Sequence, residues 1–565
     1  MSTGHGDHSN ELEGRTSVHE ESVPVLIVGG ALTGLSSAVF LGAHGVQCVV
    51  AERHPDLLIH PRLRGINPRS VELFRQVGLE PAIREASFAG GEGYAWVPVR
   101  AETLADEEYV GIDEGDQSAP ESASPSAFGP IDQDKLEILL RDRALELGAD
   151  VRFATEMVSF EQEAAGITAV LRDRRTGAER TLRADYLIAA DGANSTIRRR
   201  LGIDVEGPGV LYHTVTAMVE ADLTPALRGR RVDIAYLQRP RPYTILMAHD
   251  AFGRRWIFAT GYDPEHESIE DYTDARVVEM VRAASGLPDA EVGLRPQVPG
   301  TDLKVLWFGI GAQVARRYRS GRVFLAGDAA RINPPTGGLG GNTGIQDAHN
   351  LGWKLAAVLR GQAGPALLDT YGEERHPIGV LTMQQAFARF GARMGPGAEE
   401  VPLIDAGAVM MGYRYCSSAV LGAPEDNSPL LPQELAGQPG TRAPHVAVIL
   451  GGREVSTIDL YGRRFVLLAG EEAGAWISAA ERAGKKLDVP LDAYRFGAEL
   501  AGAEGAAAHG VGTDGALLVR PDGFVAWRAQ AAAEDPGLTL EHALSRLLFR
   551  ATARGPQRDR REEIN

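Results

Sequence analysis

Residues 23–52 read VPVLIVGGALTGLSSAVFLGAHGVQCVVAE, and this stretch decides the fold. Residues 23–30 form a short continuous apolar run, the pattern of a strand buried on both faces of a parallel sheet. Gly29-Gly30-Ala31-Leu32-Thr33-Gly34 interrupts it, and a helix-spaced apolar segment follows. A second buried strand covers 46–52 and ends on Glu52. Strand, tight turn, helix and strand make a β-α-β unit. Gly29 lets the chain turn sharply, and Gly34 lets the helix approach the sheet. The helix N-terminus then offers amide donors and a positive dipole end to a pyrophosphate. The middle position of this fingerprint holds Ala31 in place of the usual glycine. Glu52, 23 residues after Gly29, is placed to accept ribose hydroxyls and to repel a 2′-phosphate, which selects FAD or NAD over NADP at this site.

Outward from this unit, a helix is predicted over 134–148 and strands over 151–160 and 166–172. A buried strand at 186–195 ends in Asp191-Gly192. A strand-rich stretch, 204–310, is broken by a helix near 271–285. The buried run 322–330 ends in Gly327-Asp328-Ala329-Ala330, and helices are predicted over 342–361 and 368–394. Residues 111–130 are acidic and Ser/Pro-rich and read as an exposed loop. A Pro/Gly-rich segment, 428–445, marks a boundary. Beyond it, strands near 446–450, 464–469, 491–496 and 515–520 alternate with helices at 471–484 and 539–549, as in a separate α/β unit.

The glycine-rich run after Gly327-Asp328 is the second informative feature. Five of the eight residues 337–344 are glycine, a costly use of backbone entropy unless something must approach the chain closely. An Asp at a strand end suits ribityl hydroxyls. A glycine-rich helix start suits the edge of an isoalloxazine ring, which becomes negative on reduction.

Composition narrows the rest. The chain has 565 residues and a net charge of −18, unsuited to binding a nucleic-acid backbone. Its two cysteines, Cys48 and Cys416, exclude a disulfide framework, a four-cysteine metal centre and a redox CxxC pair. A two-nucleotide disulfide reductase is thereby excluded. No metal site is expected, since His5 and His8 stand in a polar lead (1–22) and His349 and His376 in helical segments. That lead has no signal-peptide core, and no apolar run spans a bilayer, so a cytoplasmic protein without membrane contact is expected. No motif selects between monomer and homodimer.

The three ordered motifs (Gly29–Gly34, Asp191-Gly192 and Gly327-Asp328 with Pro334-Pro335-Thr336-Gly337-Gly338) resemble those of the group A flavoprotein aromatic hydroxylases, the para-hydroxybenzoate hydroxylase fold class. Within it, the larger polyketide hydroxylases, of the anthracyclinone and tetracenomycin type, are the most similar. The resemblance runs on through 413–418, 439–445 and 519–528. It implies an α/β protein with a Rossmann-like FAD-binding domain (23–105, 130–203 and 311–380), an inserted mixed-sheet substrate domain (106–129 and 204–310), a helical connecting segment that closes the pocket (381–430), a thioredoxin-like domain without CxxC (431–550) and a tail (551–565).

By resemblance, FAD is held by Gly29, Ala31, Leu32, Thr33, Gly34, Glu52, Arg53, Arg62, Gln133, Asp191, Gly192, Gly327, Asp328, Pro335, Gly338, Leu339, Gly340, Gly341 and Asn342. Arg331 departs from the family, whose members often have His there. NADPH or NADH acts as a transient reductant, with no second fingerprint to hold it. The implied reaction is hydroxylation of an aromatic polyketide by molecular oxygen through a flavin hydroperoxide. A Baeyer–Villiger or epoxidising enzyme and a non-catalytic flavin-binding protein are the alternatives. Tyr236 and Arg393 are the expected polar groups of the substrate pocket. Tyr212, Tyr243, Trp256, Phe258, Trp307 and Phe308 supply its aromatic material or its core.

Overall fold

The computed structural model describes residues 21–550 apart from 61–62, 89–96, 113–120, 250–252, 395–400 and 503. Arg62 and the tail 551–565 lie outside the described residues, as does the expected lead up to residue 20. The first strand opens two residues before the expected start. Glu21 and Ser22 pair with Leu182 and Arg183, and Glu21 is held by Arg152.

The nucleotide layer follows the quoted stretch. β1 (Glu21–Val28) leads through α1 (Leu32–Ala43) to β2 (Cys48–Ala51), parallel to β1. α2 (Pro68–Arg75) starts on Asn67, whose side chain accepts from the Ser70 amide. β3 (Pro98–Ala101) leaves this layer and α3 (Gln133–Glu146) returns to it. The expected strand over 151–160 is divided into β4 (Asp150–Arg152) and β5 (Thr155–Gln162). Ala154, left-handed at φ 51°, makes the break. β5 and β6 (Ile167–Asp173) form an antiparallel flap that joins β7 (Glu179–Ala189), and β7 runs parallel to β1.

The insertion builds a nine-stranded mixed sheet. Its core is β8 (Val205–Glu220), β9 (Ile234–Leu237), β10 (Thr244–Ala248), β11 (Arg255–Tyr262) and β12 (Val305–Ala315), with α4 (Asp274–Ser285) behind. β3, expected in the nucleotide part, pairs with β9 instead. Strand alternation gives the sheet two unlike faces. Val215, Ala217, Val219, Trp256, Phe258 and Leu246 pack on α4. On the opposite face Arg100, Tyr236, Ile245, Ala259, Thr216 and Leu306 form one row across the strands.

The chain then re-enters the first sheet through β13 (Val323–Leu325), parallel to β7, and continues into α5 (Leu339–Leu359) and α6 (Thr370–Met394). The C-terminal unit contains β14 (Phe465–Ala469), α7 (Gly474–Leu487), β15 (Leu491–Arg495), β16 (Ala516–Val519), β17 (Val525–Ala529) and α8 (Pro536–Leu547). Its strand order is β15-β14-β16-β17, with only the β14–β15 pair parallel. That is the thioredoxin topology. The expected class holds throughout: a parallel dinucleotide-type sheet, an inserted mixed sheet and a thioredoxin-like unit.

The C-terminal unit is wired to the rest by buried charge. Arg520 donates to Glu374 at 2.6 and 2.9 Å, and Lys354 of α5 donates to the same carboxylate at 2.7 Å. Arg442 donates to Glu72 of α2 at 3.0 Å, and Arg69 reaches Asp522 O at 2.9 Å. Of the exposed loop expected over 111–130, residues 113–120 lie outside the described residues, and Glu72 explains why Ser124 in the remainder is buried. Ser124 is buried and donates to Glu72 at 2.7 Å, and Gly129 exchanges backbone bonds with Ile66. Small polar side chains here satisfy a buried carboxylate rather than water.

Candidate functional site

At the first helix start, glycine is demanded by backbone packing. Gly29 has φ 107°, and a Cβ on it would lie 2.2 Å from Ala190 O. A Cβ on Gly34 would lie 1.8 Å from Gly29 O. Ala31 fits, because it is the extended N-cap residue of α1 and needs no positive φ. Glu52 is a latch as well as an acceptor. Its carboxylate takes the Gly30 amide at 2.7 Å, the His54 amide at 2.8 Å and His54 Nδ1 at 2.6 Å. Burial alone would raise its pKa, but the His54 and Gly30 hydrogen bonds outweigh burial and hold it below the ordinary value. Arg53 is exposed beside it. Gln133 begins α3 and donates to Glu137 Oε1 at 2.7 Å, and that oxygen also accepts the Leu32 amide at 2.9 Å. His54 and Glu137 were missed from sequence. Adjacency to Glu52, and the i,i+4 spacing from Gln133, were the available signals.

The two later motifs are joined. Asp191 accepts from the Thr196 amide at 2.9 Å and the Ile197 amide at 3.3 Å, so one oxygen caps the short helix that follows. Its other oxygen, Oδ1, is buried without a hydrogen-bond partner among the described residues. Gly192 turns the chain at φ 81°. Arg198 donates to Ala329 O at 2.8 Å and Ala193 O at 3.1 Å, tying the Asp-Gly loop to the Gly-Asp loop. Gly327 lies against Thr33 of α1: a Cβ on it would sit 2.3 Å from Thr33 Oγ1. Asp328, next to it, is exposed.

The turn from Pro335 to Asn342 is built differently. Gly337 and Gly338 take positive φ, 76° and 61°. A Cβ on Gly338 would meet nothing within 4 Å, and one on Gly340 only Asn333 Cβ at 3.8 Å. Glycine here serves the backbone conformation and leaves the surface open. The carbonyls of the turn are tied off: Asn342 Nδ2 donates to Gly338 O at 2.8 Å, Thr343 Oγ1 to Leu339 O at 2.7 Å and Arg331 Nη2 to Gly340 O at 3.2 Å. Asn342 Oδ1 is itself held by the Asn67 amide at 2.9 Å and Ser70 Oγ at 2.7 Å. Among the described residues no side chain caps the N-terminus of α5, so the first amides of a 21-residue helix, behind the exposed Gly338, point outward with their dipole. Beside it, both amide atoms of Asn333 are buried without a hydrogen-bond partner among the described residues. An anionic helix-end ligand, a hydroxylated chain for Asp191 and Asp328, and a carbonyl-bearing ring for Asn333 are what these groups call for. FAD fits all of them.

α6 connects this turn to the inserted sheet. Thr336 donates to Ala386 O, and Arg389 Cδ lies 3.1 Å from where a Gly337 Cβ would be. Phe390 stacks on Tyr212 with centroids 5.5 Å apart and planes at 17°. Arg393 Nη1 donates to Tyr236 Oη at 2.6 Å. Residues 386, 389, 390 and 393 form one helical stripe. The four-residue step from Arg389 to Arg393 is about 6 Å along the axis, so the phenol–guanidinium pair sits about one turn from the glycine turn. Both side chains of the pair are buried. Tyr212 keeps its proton, because burial and the neighbouring Tyr236 and Tyr243 push its pKa up. The expected aromatics divide. Trp256 and Phe258 are core, Tyr212 and Tyr236 face α6, and Tyr243, Trp307 and Phe308 are exposed.

His349, 6% exposed, is packed on Phe40 and paired with Gln76 Oε1 at 3.1 Å, and burial holds it well below its ordinary pKa. Among the described residues Asp132, Asp134 and His249 bring ligand-type atoms within 4.8 Å of one another. Arg64 Nε lies 3.0 Å from Asp132 Oδ1 and supplies the positive charge there, so no metal is assigned. No described helix is long and apolar enough to cross a membrane.

A family model described as an FAD binding domain matches residues 22–386, and one described as the C-terminal part of aromatic-ring hydroxylases matches residues 436–551. The chain is 44% identical over 546 residues to the tetracenomycin B2 monooxygenase-dioxygenase of Streptomyces olivaceus, covering 94% of this chain and 99% of the relative. It is 43% identical over 549 residues to a 4-methyl-5-nitrocatechol 5-monooxygenase of a Burkholderia species, covering 94% and 98%. Among solved structures it is similar to a ternary complex of aklavinone-11 hydroxylase with FAD and aklavinone, with a TM-score of 0.86, 39% identity and coverage of 94% and 100%.

Proposed function

The chain belongs to the FAD-dependent aromatic-ring hydroxylases, and we propose that it hydroxylates a polycyclic aromatic polyketide using molecular oxygen and a nicotinamide coenzyme. Bound FAD supplies electron transfer from the coenzyme and the activation of oxygen. The protein's own residues supply position, charge and dryness. The observation that carries the reading is the buried Arg393–Tyr236 pair, set in a row of the inserted sheet that holds Ile245, Ala259 and Leu306 beside the polar Arg100 and Thr216, and about one helical turn from the glycine turn.

A guanidinium that donates to a phenol polarises that phenol's O–H. Tyr236 is thereby suited to hold a phenolic or quinone oxygen of the ring to be oxidised, and Arg393 to stabilise phenolate character as the ring becomes electron-rich. Ile245, Ala259 and Leu306, in the same row, present apolar surface to a flat ring system. Tyr212, stacked on Phe390, extends that surface toward Tyr243. Glu52, Gln133, Asp191, Gly192 and Asp328 are assigned to FAD on the geometry above, and Arg53 to its adenosine end. The two named relatives act on different ring systems, so the preference for a polyketide rests on the apolar surface of Ile245, Ala259 and Leu306 beside the polar pair, extended by Tyr212 and Phe390.

The test is turnover. FAD-loaded protein is given NADH or NADPH, oxygen and a polycyclic phenolic polyketide. Coenzyme oxidation should rise when the substrate is added, and a product one oxygen atom heavier should appear with its ring connectivity intact. Coenzyme oxidation indifferent to every aromatic supplied would overturn the proposal. A ring-expanded ester of the same mass would replace it with a Baeyer–Villiger reaction.

A further inference from the structure

Beneath the first turn of α5 lies a buried triad that the reading above leaves unused. Asp347 accepts from Arg331 on one oxygen and from Arg375 Nε, at 2.8 Å, on the other. All three side chains are essentially inaccessible, at 1%, 0% and 0% exposure. Two guanidiniums and one carboxylate leave a net charge of +1. Among the described residues, the phenols Tyr318, Tyr413 and Tyr415 also face the two guanidiniums. Burial pushes Tyr318 up to about 12 and Tyr415 well above its ordinary value, so these two phenols do not cancel the charge. Glu374, the chain neighbour of Arg375, is engaged by Lys354 and Arg520.

An uncompensated charge in the interior is expensive unless an anion completes it. The triad's other contacts lead to the start of α5. Arg331 Nη2 donates to Gly340 O at 3.2 Å and Arg375 Nη2 to Thr343 O at 3.3 Å. Both carbonyls lie within the first five residues of α5. The charge therefore adds to the positive helix end at the place assigned to the isoalloxazine edge.

The geometry points to Arg331 as a residue that tunes the flavin: its buried charge, shared with Arg375 over Asp347, favours the anionic reduced cofactor over the oxidised one. The inference rests on the flavin reading of the α5 turn. A guanidinium stays charged at every accessible pH, so this charge does not vary over the working range.

The experiment measures the two-electron reduction potential of bound FAD, by spectroelectrochemistry on the full-length holoprotein, together with the dissociation constant of oxidised FAD. Arg331→Gln should lose about tenfold of the preference for reduced over oxidised FAD, equal to about 30 mV for a two-electron couple. Arg331→Lys, which keeps the charge, should stay within about threefold of the parent, well inside that tenfold difference. A flavin-loaded Arg331→Gln protein with the parent's potential overturns the inference, as does Arg331→Lys shifting as far as Arg331→Gln. Where Arg331→Gln does not retain flavin, Arg331→His carries the test. Its potential should fall away from the parent's as the imidazole loses its proton on raising the pH, and parallel pH dependences overturn the inference. A parent protein that takes up no FAD overturns the flavin reading and this inference together, whereas FAD uptake with an unmoved Arg331→Gln potential overturns this inference alone.

Discussion

Two helices in this protein begin on glycine-rich turns, and they use glycine for opposite reasons. At α1 the glycines sit where backbone meets backbone: Gly29 against Ala190 and Gly34 against Gly29. The nearby amides of Gly30 and Leu32 are engaged by the carboxylates of Glu52 and Glu137. At α5, Gly337, Gly341 and Gly344 also pack closely, on Arg389, Leu63 and Thr33, but two glycines differ. Gly338 and Gly340 face open space, the carbonyls behind them are tied off by Asn342 and Arg331, and the amides are left pointing outward. The first turn is a joint that sets how helix and sheet meet. The second is a surface kept bare for a ligand. One sequence pattern thus carries two physical requirements, separable only by what a methyl group would touch.

The comparison breaks most sharply on substitution by alanine. Gly34→Ala places a methyl group 1.8 Å from a main-chain oxygen, and no side-chain rotation relieves it. Loss of folded, flavin-loaded protein is expected, read as absent flavin absorbance and a missing cooperative unfolding transition. Gly338→Ala meets only the cost of a left-handed alanine, about 1 kcal/mol, so a modest drop in Tm with flavin retained is expected. Equal damage from the two would erase the distinction.

The next largest effect tests what holds α5 from behind. Glu374 takes hydrogen bonds from Lys354, Arg520, Asn350 and Ser417. Burial by itself would raise its pKa, and Arg520 and Lys354 reverse that and hold it well below the ordinary carboxylate range. Glu374→Gln leaves buried cations without a counter-charge and should cost about 3–5 kcal/mol, measured by denaturant unfolding. Because the folded pKa is depressed, the carboxylate's contribution is complete above the unfolded value near 4.5 and is lost as pH falls through the folded one. Glu72 behaves alike, with Arg442 and Arg69 outweighing burial. Parent Tm should therefore fall steeply below about pH 4.5, a range set by unfolded carboxylates, and the Glu374→Gln protein should show a shallower fall. Identical acid profiles would remove Glu374 from the account.

On the substrate side a smaller effect is expected. Tyr236→Phe removes the hydroxyl that accepts from Arg393. Loss of one charge-assisted hydrogen bond, about 1.5 kcal/mol, is about tenfold in rate. Product formation should slow by that factor while flavin reduction by the coenzyme stays at the parent rate. Equal slowing of both steps would place Tyr236 outside the substrate pocket.

These contrasts follow the limits of what the sequence makes legible. The α1 and α5 starts are readable because strand, turn and helix are contiguous and each has its own hydrophobic period. The helix of α5 nonetheless starts at Leu339, three residues before the expected 342, because glycines lower helix propensity without forbidding a first turn. Tyr236 and Arg393 lie 157 residues apart, and resemblance alone could join them. Glu137 is 105 residues from Leu32, and neither Arg198 nor Asn333 has a local pattern that announces its role. The polar stretch 121–130 misled because composition reports solubility, whereas Ser124 answers a buried carboxylate brought by another part of the chain.

The mildest test returns to α1. Glu52 is poised to accept ribose hydroxyls, yet its oxygens already receive Gly30 N, His54 N and His54 Nδ1. A glutamine there offers one acceptor oxygen and turns an NH2 group on the remaining donors. If the carboxylate serves chiefly as a latch on the Gly30 loop, Glu52→Gln should loosen the loop and weaken FAD about fivefold, near 1 kcal/mol. Thermal stability without FAD should fall in step. If it serves chiefly as the ribose acceptor, affinity should fall with apoprotein stability unchanged. Titration calorimetry beside apoprotein unfolding separates the two, and the hydrogen bonds already made at Glu52 favour the first outcome: at α1 the side chains hold the backbone, and the ligand meets a joint that is already closed.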